Sequence, residues 1–128
     1  MEIIKVVILS LSALLLLVVG ATRLGNPVKA YLKNSGITLA KDVDLLNEMR
    51  GVSAVMLCGG IIIALGIIVP GLTFTSFVVA SLLFLGFALG RVISMAADGK
   101  PNKQLIQGIW FEVILGAANV FGLVNTLV

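Results

Sequence analysis

The sequence predicts an all-α integral membrane four-helix bundle with a short interfacial helix in the first loop. Three observations lead there. Of 128 residues, 59% are hydrophobic and 12% are charged, about half the roughly 25% charged share of a globular domain, and the mean hydropathy is +1.17. So few charges cannot supply the polar surface of a soluble domain, and the composition is equally far from that of a disordered chain. The apolar residues collect into four segments, 3–22, 51–69, 72–97 and 105–128, each near the ~20 residues that cross the hydrocarbon core as a helix. All three prolines, Pro27, Pro70 and Pro101, fall between those segments, where helix breakers belong. The chain is read as one four-span domain over residues 1–128.

The first segment is read as a true span. A cleaved signal needs a positive leading region, and here Glu2 and Lys5 cancel. The only long connection runs from Arg23 to Arg50. Within it Asn26-Pro27 reads as a helix start, with asparagine as the cap and proline at the first helical position. Val28, Tyr31 and Leu32 then lie on the membrane surface with Lys29 and Lys33 facing water, and Asn34-Ser35-Gly36 ends the piece. Thr38 is a candidate cap for the next helix, because Leu39, Val43 and Leu46 repeat at helical spacing into the second span. That helix is expected to begin well before the bilayer core. Pro70-Gly71 and Asp98-Gly99-Lys100-Pro101 make the remaining two connections tight.

Four spans place both termini and the Pro70-Gly71 turn on one side, which carries only Lys5. The other side holds Arg23, Lys29, Lys33, Lys41, Arg50, Lys100 and Lys103, with Arg91 nearby. This asymmetry predicts cytoplasmic charged loops and both termini outside.

Much chemistry is excluded. The sequence has no histidine, which removes His-ligated haem, most zinc sites and His-assisted nucleophiles. Its one cysteine, Cys58, cannot form a redox pair, and it is read as core packing. No metal, cofactor or catalytic residue is expected. The basic residues flank apolar segments and form no dense run for nucleic acid.

Ionisable groups inside spans cost about 2.5–3.5 kcal/mol each on insertion scales, so the few present are informative. Arg91 in the third span and Glu112 in the fourth stand nearly equally far along the chain from Pro101. Equal rise per residue brings them to similar depth, and an ion pair is expected. Arg91, Ser94 and Asp98 share one stripe, and Asn47, Arg50, Ala54 and Cys58 another, with Glu48 adjacent. Gly108, Glu112, Gly116 and Asn119 share a face of the fourth span. Asn119 and Asn125 are read first as interhelical hydrogen-bonders, Trp110 and Tyr31 as interfacial anchors. The GxxxG pair Gly86 and Gly90 is expected to mark an internal contact.

The series Asn47-Glu48-Met49-Arg50-Gly51, Gly90-Arg91-Val92-Ile93-Ser94, Asp98-Gly99-Lys100-Pro101 and Glu112 resembles the small bacterial membrane proteins of the domain-of-unknown-function 4345 family. That family in turn resembles the DoxX-like group of four-helix membrane proteins. The resemblance covers nearly the whole chain. It implies a four-helix fold in a bacterial inner (plasma) membrane, no established activity, and Asn47, Glu48, Arg50, Arg91, Ser94, Asp98 and Glu112 as signature positions. Small multidrug transporters fit less well, since they carry a key carboxylate in the first helix and this first span has no charge between Lys5 and Arg23.

The polar cluster admits a structural reading, in which charges lock helix ends together. It also admits a binding site between the second, third and fourth spans. The candidate ligand-binding set is Asn47, Glu48, Arg50, Arg91, Ser94, Asp98, Glu112 and Asn119. Arg50 and Arg91 are expected to receive an anionic head, oriented by Glu112 and Asp98, with the helix near Tyr31 covering the mouth. The leading expectation is a non-enzymatic membrane protein binding a lipid-like or small amphipathic ligand, or an accessory subunit. The alternative is a small transporter or channel with Glu112 as coupling carboxylate. The expected partners are the bilayer, a bound amphiphile and a second copy in a homo-oligomer.

Overall fold

Local chemistry at the helix ends sets most of the boundaries. The computed structural model describes residues 2–128. It contains α1 (Ile3–Gly25), α2 (Pro27–Ser35), α3 (Val43–Ile68), α4 (Thr73–Asp98) and α5 (Lys103–Leu127), with a single 3-10 turn at Pro70–Leu72. Four of these helices, α1, α3, α4 and α5, are long and apolar enough to cross a membrane. The nine-residue α2 is not. The 26 residues of α3 reach about 39 Å at 1.5 Å each, beyond the roughly 30 Å hydrocarbon core. As expected, the helix begins at Val43, ahead of the apolar run that starts at Gly51.

The Asn26-Pro27 start of α2 is observed, with the Lys29 N–H donating to Asn26 Oδ1 at 3.3 Å. Gly36 ends α2 in the left-handed conformation, at φ 66°. Only glycine adopts it without a Cβ penalty. A Cβ there would also collide with the Gln104 side chain. The start of α3 differs from expectation. Thr38 does not cap it; Asp42 does, its Oδ2 accepting from the Leu45 N–H at 3.3 Å. A carboxylate satisfies the orphan donor and also faces the positive end of the helix dipole, an advantage threonine lacks. Asn102 caps α5, accepting from the Leu105 N–H at 2.8 Å.

The spans pack in chain order: α1 on α3, α3 on α4, α4 on α5. The circuit closes loosely, because α1 and α5 touch far less than the other neighbours. Leu9, Leu16, Ile63, Phe77 and Phe84 are fully buried at the centre. The α1–α3 seam is a backbone contact. A Cβ on Gly20 would lie 2.7 Å from Leu57 N and 3.1 Å from Ser53 O. Such approach is the main way helices gain packing energy where lipid offers no hydrophobic contrast.

Three expectations about single residues are corrected. Gly86 and Gly90 face outward, with no atom within 4 Å of an added Cβ, because Phe77, Ala80, Phe84 and Ala88 form the inward stripe of α4. Cys58 is exposed, since Met56, Gly59, Gly60 and Ile63 take the inward positions of α3. Tyr31 is no interfacial anchor. It is buried with Pro27, Ala30 and Ser35, because α2 lays this face onto the bundle end. Lys29, Leu32 and Lys33 remain exposed.

Candidate functional site

Every polar group of the site is delivered by a helix face that is otherwise apolar. The inward stripe of α1 runs through Leu9, Ala13, Leu16 and Gly20 and ends on Arg23, all buried. Arg23 is therefore carried inward by the same periodicity that builds the core. Its guanidinium carbon lies 4.3 Å from the centroid of the Tyr31 ring, within cation–π range. Its Nη2 donates to Ser35 Oγ at 2.9 Å. Tyr31 and Ser35 stand one turn apart on α2, so α2 is fastened over the charged end of α1. The far end of α2 is tied to α5: Asn102 Nδ2 donates to the Ser35 carbonyl at 2.8 Å, and Gln104 Nε2 to the Lys33 carbonyl at 3.2 Å.

Arg91 continues the inward stripe of α4 beyond Phe84 and Ala88, and Glu112 begins the buried stripe of α5. Their equal depth is realised: Arg91 Nε lies 2.9 Å from Glu112 Oε1. The contact is an ion pair by distance, yet neither atom has a properly aligned hydrogen-bond partner.

These groups line one cavity of about 300 Å³, near the lower end of the roughly 300–1,000 Å³ of small-molecule sites. Arg23, Tyr31, Asn34, Ser35, Gln104, Arg91 and Glu112 make its polar lining. Leu15, Leu16 and Val19 of α1, Val52 and Met56 of α3, Phe84 and Phe87 of α4, and Leu105 and Phe111 of α5 make its apolar walls. Along the loose α1–α5 side, Leu15 and Val19 are half-buried and Phe111 is 61% exposed. The cavity thus borders the outer surface of the bundle along that side.

The candidate residues divide sharply. Arg91 and Glu112 are brought together in the cavity wall. Arg50 is elsewhere: its Nη1 donates to the Leu24 carbonyl and reaches Gly25 O at 3.5 Å, placing a cation on the carbonyl end of α1. Ser94 and Asp98 are exposed and bond each other, Ser94 Oγ donating to Asp98 Oδ2 at 2.8 Å. Asn47 and Glu48 are exposed on the early part of α3. Asn119 is fully buried deeper in the bundle, donating to Ser12 Oγ at 2.9 Å and to the Leu115 carbonyl at 2.8 Å. It links α1 to α5, as an interhelical hydrogen-bonder does. The cavity also draws on α1 and α2, not only on the last three spans. Arg23, Tyr31 and Ser35 were not among the candidates. The heptad-like run Leu9–Leu16–Arg23 on α1 was the available signal for the first. No group of histidine, cysteine or acidic residues among the described residues is arranged to hold a metal ion.

The family model described as "Domain of unknown function (DUF4345)" matches residues 4–123. The chain belongs to the DUF4345 family. The match spans α1 to the last turns of α5, so in this DUF4345 protein the cavity lies wholly within the matched region. No curated protein and no solved structure matches it. Family membership establishes the kinship that the motifs indicated and assigns no activity.

Proposed function

We propose that this multi-span membrane protein is a non-catalytic binder of a small amphipathic, lipid-like molecule, held in the cavity with its polar head among Arg23, Arg91 and Glu112. One observation carries the reading: a single cavity inside a membrane bundle has charged groups on one part of its wall and aliphatic and aromatic side chains on the rest. A charge in a span is costly unless something compensates it, and an amphiphile entering along the α1–α5 edge matches both kinds of wall. All walls come from one chain, so the reading requires no second copy.

A transport reading has less support. It routes protons or ions from Glu112 past Gly116 and Asn119. The Leu85 side chain lies against Gly116, Asn119 is engaged by Ser12, and Phe77 and Phe84 fill the centre.

The test is a blocked cavity. Gly108 lines it, and a Cβ there meets nothing within 4 Å. Gly108→Phe should fill the space without removing a charged group. Binding of radiolabelled tetradecanoate and tetradecanol to purified protein in a neutral maltoside detergent should fall severalfold for both, with the helical circular dichroism spectrum retained. Unaltered binding of both by a folded Gly108→Phe protein refutes the reading.

A further inference from the structure

Five buried side-chain polar atoms among the described residues make no well-aligned hydrogen bond: Arg23 Nε, Arg91 Nε, Glu112 Oε1, Ser81 Oγ and Asn119 Oδ1, of which Arg91 Nε and Glu112 Oε1 face each other in the ion pair at 2.9 Å. The first three belong to residues that line the same cavity. Buried polar atoms are nearly always paired, and leaving one unpaired costs about 1–3 kcal/mol, more for a charged group. Of those three, Arg91 Nε and Glu112 Oε1 answer each other, and Arg23 Nε alone faces the cavity with no partner. Arg23 is the most telling of them. It is only 8% exposed, its planar guanidinium lies over the Tyr31 ring and one terminal nitrogen is held by Ser35. The guanidinium is fixed in place while its Nε–H is left unspent.

The charge balance narrows the class of ligand. Among the described residues, the formally charged ones lining the cavity are Arg23, Arg91 and Glu112, two cations against one anion. In a low-dielectric surrounding an uncompensated charge is strongly disfavoured, so the best-matched head group carries one negative charge. Guanidinium N–H groups are well suited to the oxygens of a carboxylate or of a phosphate diester.

We infer that the cavity selects amphiphiles with a monoanionic head, that Arg23 is the residue that anchors the head, and that Glu112 sets the charge preference by cancelling one of the two guanidiniums. This rests on the amphiphile-binding reading above and assigns the head-group chemistry to it. The shared chemistry is one negative charge on oxygen atoms at the end of an apolar chain, met by a fatty carboxylate and by the phosphodiester of a lysophospholipid.

Equilibrium binding to the purified full chain in neutral maltoside tests this. The probes are tetradecanoate, 1-myristoyl-lysophosphatidylglycerol, tetradecanol and tetradecyl phosphate. At least one of the two monoanions should bind tenfold or more tightly than tetradecanol, and the tighter of them identifies the source of the head. Arg23→Lys keeps the charge but lacks the Nε–H. It should lose at least fivefold toward the preferred monoanion and little toward tetradecanol. Glu112→Gln leaves two cations uncancelled, and should raise the preference for tetradecyl phosphate over tetradecanoate by at least fivefold. Tetradecanol binding as tightly as both monoanions, with Gly108→Phe still blocking all of them, overturns the head-group assignment while sparing amphiphile binding. That comparison uses the unmodified protein and stands even where a variant fails to fold. An unchanged monoanion affinity in Arg23→Lys, or an unchanged phosphate-to-carboxylate preference in Glu112→Gln, overturns the role of that residue.

Discussion

Arg23 lies over the ring of Tyr31, with 4.3 Å between the guanidinium carbon and the ring centroid. This contact joins a membrane-spanning helix to the short helix that covers the bundle end. It places a cation inside the protein without a carboxylate in direct contact, using the negative face of an aromatic ring instead.

The ring face should contribute more to that contact than the hydroxyl. Tyr31→Phe should leave thermal stability nearly unchanged. Tyr31→Leu should cost about 2 kcal/mol, the upper range for a desolvated cation–π pair, and lower the melting temperature followed by Trp110 fluorescence. Equal melting of the Leu and Phe variants would show that the ring contributes only volume.

Arg91 and Glu112 should show coupling in a double-mutant cycle. Removing one partner of a buried pair leaves an uncompensated charge, whereas replacing both removes the problem. Arg91→Leu and Glu112→Leu singly should each destabilise more than the double variant does. Interaction energies between contacting groups run about 0.5–3 kcal/mol. Additive single effects in reversible detergent unfolding would contradict the observed pairing.

Glycines at equivalent-looking positions should behave in opposite ways. Gly20→Leu drives a side chain into the α3 backbone at Leu57 and Ser53, and should abolish monodisperse purification. Gly90→Leu, directed into open space, should purify and melt like the parent. A well-behaved Gly20→Leu protein is incompatible with the α1–α3 seam.

Gly36 ends α2 at positive φ beside Gln104. A left-handed conformation costs a non-glycine residue about 1–2 kcal/mol. Gly36→Ala should therefore lower stability by at least that amount, and hydrogen exchange should accelerate selectively in residues 27–36. Exchange rising evenly over the whole chain would count against a local cap.

The charge asymmetry predicts that the α2 end faces the cytoplasm. In a Cys58→Ala background, a cysteine at Val128 should react with a membrane-impermeant maleimide in intact cells, and one at Lys100 should react only after permeabilisation. The reverse pattern would invert the orientation.

Much of the architecture was legible along the chain because membrane folding is dominated by one requirement. Backbone groups in hydrocarbon must be satisfied within the segment, so long apolar runs and the placement of Pro27, Pro70 and Pro101 sufficed for the four spans and their turns. The Arg91–Glu112 pair was legible for a related reason. In a tight hairpin, equal distance from the turn means equal depth. Asn47, Glu48, Ser94 and Asp98 lie toward the same end of the bundle but project outward or pair locally, which composition and spacing do not distinguish from an inward face.

The sequence by itself determined the class of protein, the number of spans and the end of the bundle that carries the charge, since each depends on local polarity and helix length. Only the tertiary structure decided which charged residues meet. Arg50 was drawn to the carbonyl end of α1, while Arg23 was turned inward and met by an α2 that folds back over the bundle. The site thus depends on how helices rotate about their axes and on where a nine-residue helix docks. Both are set by side-chain packing between segments distant in the chain, chiefly Gly20 against α3 and Asn102 and Gln104 against α2, and no single segment specifies them.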